Sequence, residues 1–467
     1  MSIKAVPQAG FTASVPVVIV GAGAAGLCAA LSANQAGADV IVLERDSIPR
    51  GSTALSAGLI PAASTRFQKA LNISDDPVLF ARDVARKAHG EADDAIVNLV
   101  TRESAATVEW LADRHGFPFS VVHDFDYPGH SARRMHGLPS RSGLELIDRL
   151  REAADESDIP LVLNATVSAL HAGADRIVRG VEITRPDGTR DSLGCEALIL
   201  ACNGYGGAAD LVSKHIPEMR AATYFGHPGN RGDALLWGAA LGARLMHLSG
   251  YQGHGSLAHP HAVLITWAVI MEGGFQVNAA GLRFSDESGG YSEQAAIVLA
   301  QPGGTAFDIF DERIAAIARQ FADFQQAEAS GAVIEAASIT QLAERLNLPA
   351  GALAQSFAEV EAVRASGGAD RFGRRFAGAA PLAPPFKAVK VTGALFHTQG
   401  GLAVDTSARV HDTGGTALPN LLAAGGAAVG VSGARASGYL SGNGLLTATV
   451  LGRVAGQSAA GLVKQMA

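Results

Sequence analysis

Gly21, Gly23, Gly26 and Glu44 are the residues of this chain whose types and spacing point most directly to chemistry. In a G-x-G-x-x-G pattern the first glycine permits a tight turn and the second lets the main chain approach a pyrophosphate. The third lets a helix pack closely on a strand. The unpaired N–H groups and the positive dipole end at the start of that helix favour phosphate. Glu44, eighteen residues past Gly26, can accept hydrogen bonds from ribose hydroxyls. These groups work together only if strand, turn, helix and strand position them. The sequence supplies each piece: the apolar strand Val17-Val18-Ile19-Val20, the turn, an alanine-rich helix, and a second strand, Val40-Ile41-Val42-Leu43, ending on the acid. A bound dinucleotide is expected, rather than a glycine turn with a purely structural role.

The rest of the composition bounds the reading. At 467 residues the chain exceeds one ordinary domain, and with 48% hydrophobic and 17% charged residues it can bury a large core. A net charge of −7 argues against nucleic acid or an anionic membrane surface as partner. No stretch reads as a membrane span, and residues 1–10 lack a signal-peptide pattern. Cys28, Cys195 and Cys202 lack metal-ligand spacing and cannot all be paired, so no metal and a reduced, cytoplasmic compartment are expected.

Pieces of one α/β domain stand at both ends. A helical region over residues 75–115 and an alternating, meander-like stretch over 161–183 precede the buried strand Ala197–Ala201, which ends in Gly204, Gly206 and Gly207. A late strand, Leu421 to Gly426, leads into a last helix at about 445–462. Residues 245–380 are more polar and more helical and end in a proline-rich return, Pro381 to Pro385. The expected fold is therefore α/β: a Rossmann-like nucleotide-binding domain, residues 1–244 and 381–467, with an inserted α+β capping domain, 245–380. The strand Ala197–Ala201 with its glycine end, the late strand Leu421 to Gly426, and Gly232-Asp233 before an alanine-rich helix resemble the further features flavoproteins use for FAD, which favours FAD over a nicotinamide cofactor. No second G-x-G-x-x-G follows a strand, so no separate NAD(P) domain is expected.

Over nearly its whole length the chain resembles the fumarate reductase/succinate dehydrogenase flavoprotein superfamily. The resemblance is carried by Gly21–Gly26, Gly51-Ser52-Thr53-Ala54, Gly232-Asp233, Leu264-Ile265-Thr266, Gly281-Leu282-Arg283-Phe284, His397-Thr398-Gln399-Gly400-Gly401-Leu402, Ala423-Ala424-Gly425 and Gly442-Asn443-Gly444, in that order. It implies an FAD domain, a mobile capping domain, and a substrate enclosed between them. For FAD it implies contacts from Gly21, Gly23, Ala24, Ala25, Gly26, Glu44 and Arg45, and from Gly51, Ser52, Thr53 and Gly58. Further contacts are implied for Val167, Ala201, Asn203, Gly204, Asp233, Gly425, Gly442, Asn443 and Leu445. Family members that attach FAD covalently use a histidine near the Gly51 loop; residues 51–58 contain none, so noncovalent FAD is expected.

The departures from the family point to the substrate. Dicarboxylate-reducing members use a Thr-Glu pair, a donor arginine and a clamping arginine, since arginine binds carboxylates bidentately. Here Thr266 is followed by Trp267, the donor position holds Tyr291 and the clamp position Tyr439. Asp286-Glu287-Ser288-Gly289-Gly290-Tyr291 and Tyr439-Leu440-Ser441-Gly442-Asn443-Gly444 resemble motifs of the 3-ketosteroid dehydrogenase branch. The Tyr439-x-Ser441 arrangement is more similar to the Δ4-(5α) enzymes than to the Δ1 enzymes.

That resemblance implies α,β-desaturation of a neutral, cyclic, steroid-like ketone, or the reverse enone reduction. Tyr439 and Ser441 would hold the carbonyl and stabilise the enolate. Tyr291, with Tyr439 as the alternative, would move the α proton while hydride passes to or from flavin N5. Thr266, Trp267, His254 and His397 fall at substrate-binding positions, the two histidines being equally compatible with a structural or flavin-supporting role. If the loop before Gly442 carries an insertion, Arg435 becomes the carboxylate clamp, and an unsaturated carboxylate is the substrate. A flavin electron carrier without turnover is the third reading; the long capping segment argues against it. The electron donor or acceptor is left open.

Overall fold

The Val17–Val20 run is a strand with all four side chains buried. Burial on both faces suits the interior of a parallel sheet. It pairs in parallel with Val40–Leu43 on one side and Ala197–Leu200 on the other. In the computed structural model, which describes residues 2–123, 126–376 and 378–466, this six-stranded sheet runs Arg409–His411, Ala417–Ala423, Ala197–Leu200, Val17–Val20, Val40–Leu43, Leu161–Val162. The edge strand Arg409–His411 is antiparallel to its neighbour. Both ends of the chain therefore build one sheet, as an insertion between them requires.

The helix Ala24–Gln35 starts with Gly23 as its N-cap, and Ala24 to Ala33 are all buried. Its small side chains let it lie directly against the sheet and against the last helix, Asn443–Met466. The closest approach is at the turn: a methyl group on Gly26 would stand 1.8 Å from the Gly21 carbonyl oxygen. Gly21 itself has φ +103° and would press a side chain onto the Ala201 carbonyl at 2.6 Å. The first and third glycines are thus dictated by packing.

A five-stranded sheet contains the meander Thr166–Ala172, Val178–Thr184 and Arg190–Gly194, flanked by Ser2–Lys4 and Ala13–Ser14. The helical region over 75–115 is two helices, Pro77–Lys87 and Asp94–His115, each capped by the aspartate before it.

The chain divides into two compact units, Met1–Ile216, Gly226–Tyr251 and His397–Ala467 in one, Pro217–Phe225 and Gln252–Phe396 in the other. The second unit holds more sheet than its polar sequence suggests. Its seven-stranded sheet is built around the long strand Phe386–Thr398, which pairs with Thr305–Asp311, Val333–Ala336 and Thr223–Tyr224. Because that strand runs on past the proline-rich return without a break, the changeover falls at Phe396/His397 rather than at residue 380. The other changeover falls at Tyr251/Gln252 rather than at 245. Among the described residues no helix is long and apolar enough to cross a membrane, and Cys28, Cys195 and Cys202 are free thiols.

The turn geometry separates two glycines by experiment. Gly26→Ala is expected to cost about 3 kcal/mol or more through overpacking, read as a lower melting temperature of the FAD-free protein. Gly23→Ala, whose methyl would meet only Thr53 Oγ1 at 3.5 Å, is expected to leave that temperature unchanged and to weaken FAD binding, measured by titration of the same apoprotein.

Candidate active site

The first unit holds the residues expected to cradle the nucleotide. Glu44 accepts from Ala22 N (2.8 Å) and from Asp46 N (3.1 Å), which holds its carboxylate beside the glycine turn. Thr53 Oγ1 accepts from Ala24 N at 3.1 Å, tying the Gly51 loop to the helix start. Ser52 Oγ accepts from His227 N and Asn230 Nδ2 at 3.0 and 2.8 Å. Gly51 and Gly58 take the positive φ their turns need, and Asn203, also at positive φ, accepts from Gly204 N.

Two buried acceptors here lack a protein donor: Asp233 Oδ1 and Asn443 Oδ1. Buried polar atoms are normally satisfied, so these two, with the open side of Gly23, fit a bound polar cofactor. Asp233 is also the ion-pair partner of Arg45 at 2.7 Å, so Arg45 is held by an acid. The Val167 side chain lies in the core of the unit, leaving only its main chain to face a ligand. Ala25 and Ala201 are buried, and Leu445 is half-buried at the start of the last helix.

Around the last helix the same unit presents neutral donors. Tyr439 is buried, and its hydroxyl oxygen accepts from Gly444 N at 3.3 Å. Burial pushes this phenol up to about 12, against the opposing pull of the Gly444 and Gly442 amides, so at neutral pH it keeps its proton. Ser441, two residues on, is buried as well. His397 is fixed by a chain in which Asn443 Nδ2 donates to Ser432 Oγ (3.1 Å) and Ser432 Oγ to Gln399 Oε1 (2.8 Å). Gln399 Nε2 then donates to His397 Nδ1 at 2.8 Å. This assigns the imidazole proton to Nε2, and burial holds the ring neutral, its pKa down to about 4. Gly426 leaves no room for a side chain: a methyl there would be 2.2 Å from Asn203 Oδ1 and 2.9 Å from His397 Nε2.

The second unit contributes a column of stacked rings. Phe225 lies on Phe396 (4.9 Å between centroids), Phe396 on His254 (5.3 Å) and His254 on Tyr291 (4.9 Å), with Trp267 edge-on to both His254 and Tyr291. His254 Nδ1 accepts from Ser256 N at 3.1 Å, which places the ring proton on Nε2, and burial lowers its pKa to about 3. Trp267 is buried with its indole N–H unpartnered. Thr266 Oγ1 is engaged by Ala268 N at 3.4 Å, a main-chain role at a short helix start. Tyr291 opens the helix Tyr291–Leu299 after Gly290, whose φ of +148° explains the glycine. Phe225 and Phe396 escaped the sequence reading because nothing but the fold brings position 225 beside 396. Gln399 and Ser432 escaped it because each matters only through His397.

The carboxylates and guanidiniums nearby are paired with each other. Buried Glu287 binds Arg283 at 2.7 Å and Arg374 at 2.8 Å, and Asp370 closes on Arg283. Glu287 also accepts from Gln276 N, and Gln276 Nε2 donates to Asp308 Oδ1 at 2.8 Å. Asp308 hydrogen-bonds Ser256 on its other oxygen; burial raises its pKa to about 7 despite these donors. In the first unit Arg435 is largely exposed and pairs with Glu91 at 2.7 Å, which also accepts from Ala434 N. No group of His, Cys, Asp and Glu suited to a metal occurs among the described residues.

The fold and the cradle define a flavoprotein, and comparison with known proteins gives its family. The FAD binding domain family model matches residues 16–445, and the chain belongs to that family, in the superfamily of the fumarate reductase and succinate dehydrogenase flavoproteins. It is an FAD-dependent oxidoreductase. It is 30% identical over 452 residues to a probable fumarate reductase of Shewanella frigidimarina, covering 97% of this chain and 76% of that one. The open conformation of a flavocytochrome c3 fumarate reductase superposes with a TM-score of 0.83 at 29% identity, over 97% of this chain and 79% of the other. A 3-ketosteroid-Δ4-(5α)-dehydrogenase from Rhodococcus jostii shares the fold, with a TM-score of 0.77 at 24% identity, over 98% and 100%.

Asp308 supplies a pH test of the polar network. A carboxyl whose folded pKa is raised stabilises the fold while protonated and loses that contribution as pH rises from its unfolded value, about 3.9, to about 7. Wild type is expected to lose stability relative to Asp308→Asn across that window, measured by urea denaturation at stepped pH.

Proposed function

We propose that this flavoenzyme interconverts a neutral, cyclic, steroid-like ketone and its α,β-unsaturated counterpart. The observation that carries the reading is the state of Tyr439: buried, protonated, its oxygen already accepting a main-chain N–H. Such a phenol is a hydrogen-bond donor suited to a carbonyl oxygen and, in the transition state, to an enolate. In our reading Ser441 shares that task, and Tyr291 moves the proton at the α carbon. Tyr439 is too firmly protonated to be the base. His254, neutral and stacked on Tyr291, holds that ring in place and offers an N–H; Trp267 and His397 offer two more. FAD, when bound, supplies hydride exchange at its N5. We hold it to be noncovalent, because residues 51–58 carry no histidine.

The charge pattern supports a neutral substrate. Arg283, Arg374 and Arg435 are each paired with a carboxylate of the protein itself. Clamping a dianion with any of these three would require breaking its pair. The competing reading, an unsaturated carboxylate clamped by Arg435 if the loop before Gly442 carries an insertion, is supported by the similarity to a probable fumarate reductase of Shewanella.

Anaerobic mixing of the oxidised holoenzyme with saturated cyclic ketones, 3-ketosteroids and succinate distinguishes them. Bleaching of the flavin by a ketone, slowed about 100-fold or more in Tyr291→Phe and unchanged in Arg435→Ala, is the expected result. Bleaching by succinate alone, lost in Arg435→Ala, would overturn it.

A further inference from the structure

The loop over residues 226–231 is fastened to two separate parts of the expected nucleotide cradle. His227 Nδ1 accepts from Gly229 N at 3.1 Å, so the ring proton is on Nε2, which lies 2.9 Å from Asp46 Oδ2. That is the first fastening. The second is at Ser52, whose Oγ accepts from His227 N and from Asn230 Nδ2 at 3.0 and 2.8 Å. Within the loop Asn230 N donates to the His227 carbonyl oxygen, and the Asn230 carbonyl oxygen accepts from Gly207 N. The loop also lies directly on Arg45, since a methyl group on Gly229 would stand 3.0 Å from Arg45 Cδ. Arg45 in turn is held by Asp233, just past the loop.

The two fastening points flank one half of a dinucleotide. Asp46 N donates to Glu44 Oε1, and an acid at the end of this strand marks the ribose. Ser52 belongs to the Gly51 loop, which Thr53 ties to the start of the helix Ala24–Gln35, where phosphates are favoured. Two further observations point to a ligand there. Asp233 is buried and its Oδ1 has no protein donor. Ser52 Oγ has both lone pairs occupied by the loop, so its hydroxyl is left to donate, which suits a phosphate oxygen.

We propose that residues 226–231 are a clasp that retains FAD by its adenosine half, with the hydrogen bond from His227 to Asp46 as the latch. Release of the cofactor then requires the loop to lift from Asp46 and Ser52. Neither His227 nor Asp46 has to touch FAD for this. The proposal rests on Glu44 marking the ribose end and is independent of the substrate. The side chains of His227 and Asp46 are 26% and 33% exposed, so truncating either leaves no cavity in the core.

Two rates measured on the holoenzyme test this. FAD release, followed by flavin fluorescence after dilution, is expected to quicken about tenfold in His227→Ala and in Asp46→Ala, as for one hydrogen bond to a carboxylate. The double variant should release FAD no faster than either single one, because the two side chains are the ends of one bond. In Asp46→Ala, hydrogen exchange of the His227 amide, which donates to Ser52, should speed up by the same factor as release. Both processes pass through one opening. Unchanged release in Asp46→Ala, or effects that multiply in the double variant, would overturn the proposal. So would either rate rising without the other.

Discussion

A guanidinium taken out of water must find a carboxylate, and the three arginines buried among the described residues have all done so. Arg134 lies between Asp75 and Asp83; Arg283 and Arg374 share Glu287, with Asp370 completing the second group. Removing one member of such a pair leaves an uncompensated buried charge and costs several kcal/mol. The pairs therefore act as fixed posts rather than as ligands in waiting. The donors proposed above for a substrate are instead uncharged: the phenols of Tyr291 and Tyr439, the imidazoles of His254 and His397, and the Trp267 indole.

The same posts organise the donors. Glu287 receives the Gln276 amide, and Gln276 holds Asp308, which holds Ser256, whose own amide sets the His254 tautomer. In the first unit Asn443, Ser432 and Gln399 set His397 in the same way. Each imidazole is neutral because it is buried, and each has its proton on Nε2 because Nδ1 already accepts a hydrogen bond. Preorganised neutral donors of this kind stabilise an enolate without reorganising as it forms.

Much of this was legible in the sequence, for identifiable reasons. The G-x-G-x-x-G turn is dictated locally, since Gly21 and Gly26 are packing requirements within one strand and one helix, and Glu44 sits at the end of the next strand. Tyr291 and Tyr439 could likewise be singled out by position as candidates. What could not be read depends on long-range closure. Phe225 joins the ring column only because Thr223–Tyr224 pairs with Ala394 and Leu395, and nothing in the stretch around residue 227 announces that it reaches Asp46. The polar character of residues 245–380 hid a sheet whose charged groups, Asp308 and Glu287 among them, are buried and satisfied. Arg435 was open as a clamp on spacing alone; its exposed pairing with Glu91 could be seen only in three dimensions.

The central claim is that recognition uses neutral donors and no protein cation. Equilibrium titration of the oxidised holoenzyme, followed by perturbation of the flavin absorbance, tests it without requiring turnover. A cyclic enone should give a saturating change that is insensitive to ionic strength, and fumarate should give none. Saturable binding of fumarate that weakens as salt is added, with no response to the enone, would contradict the account.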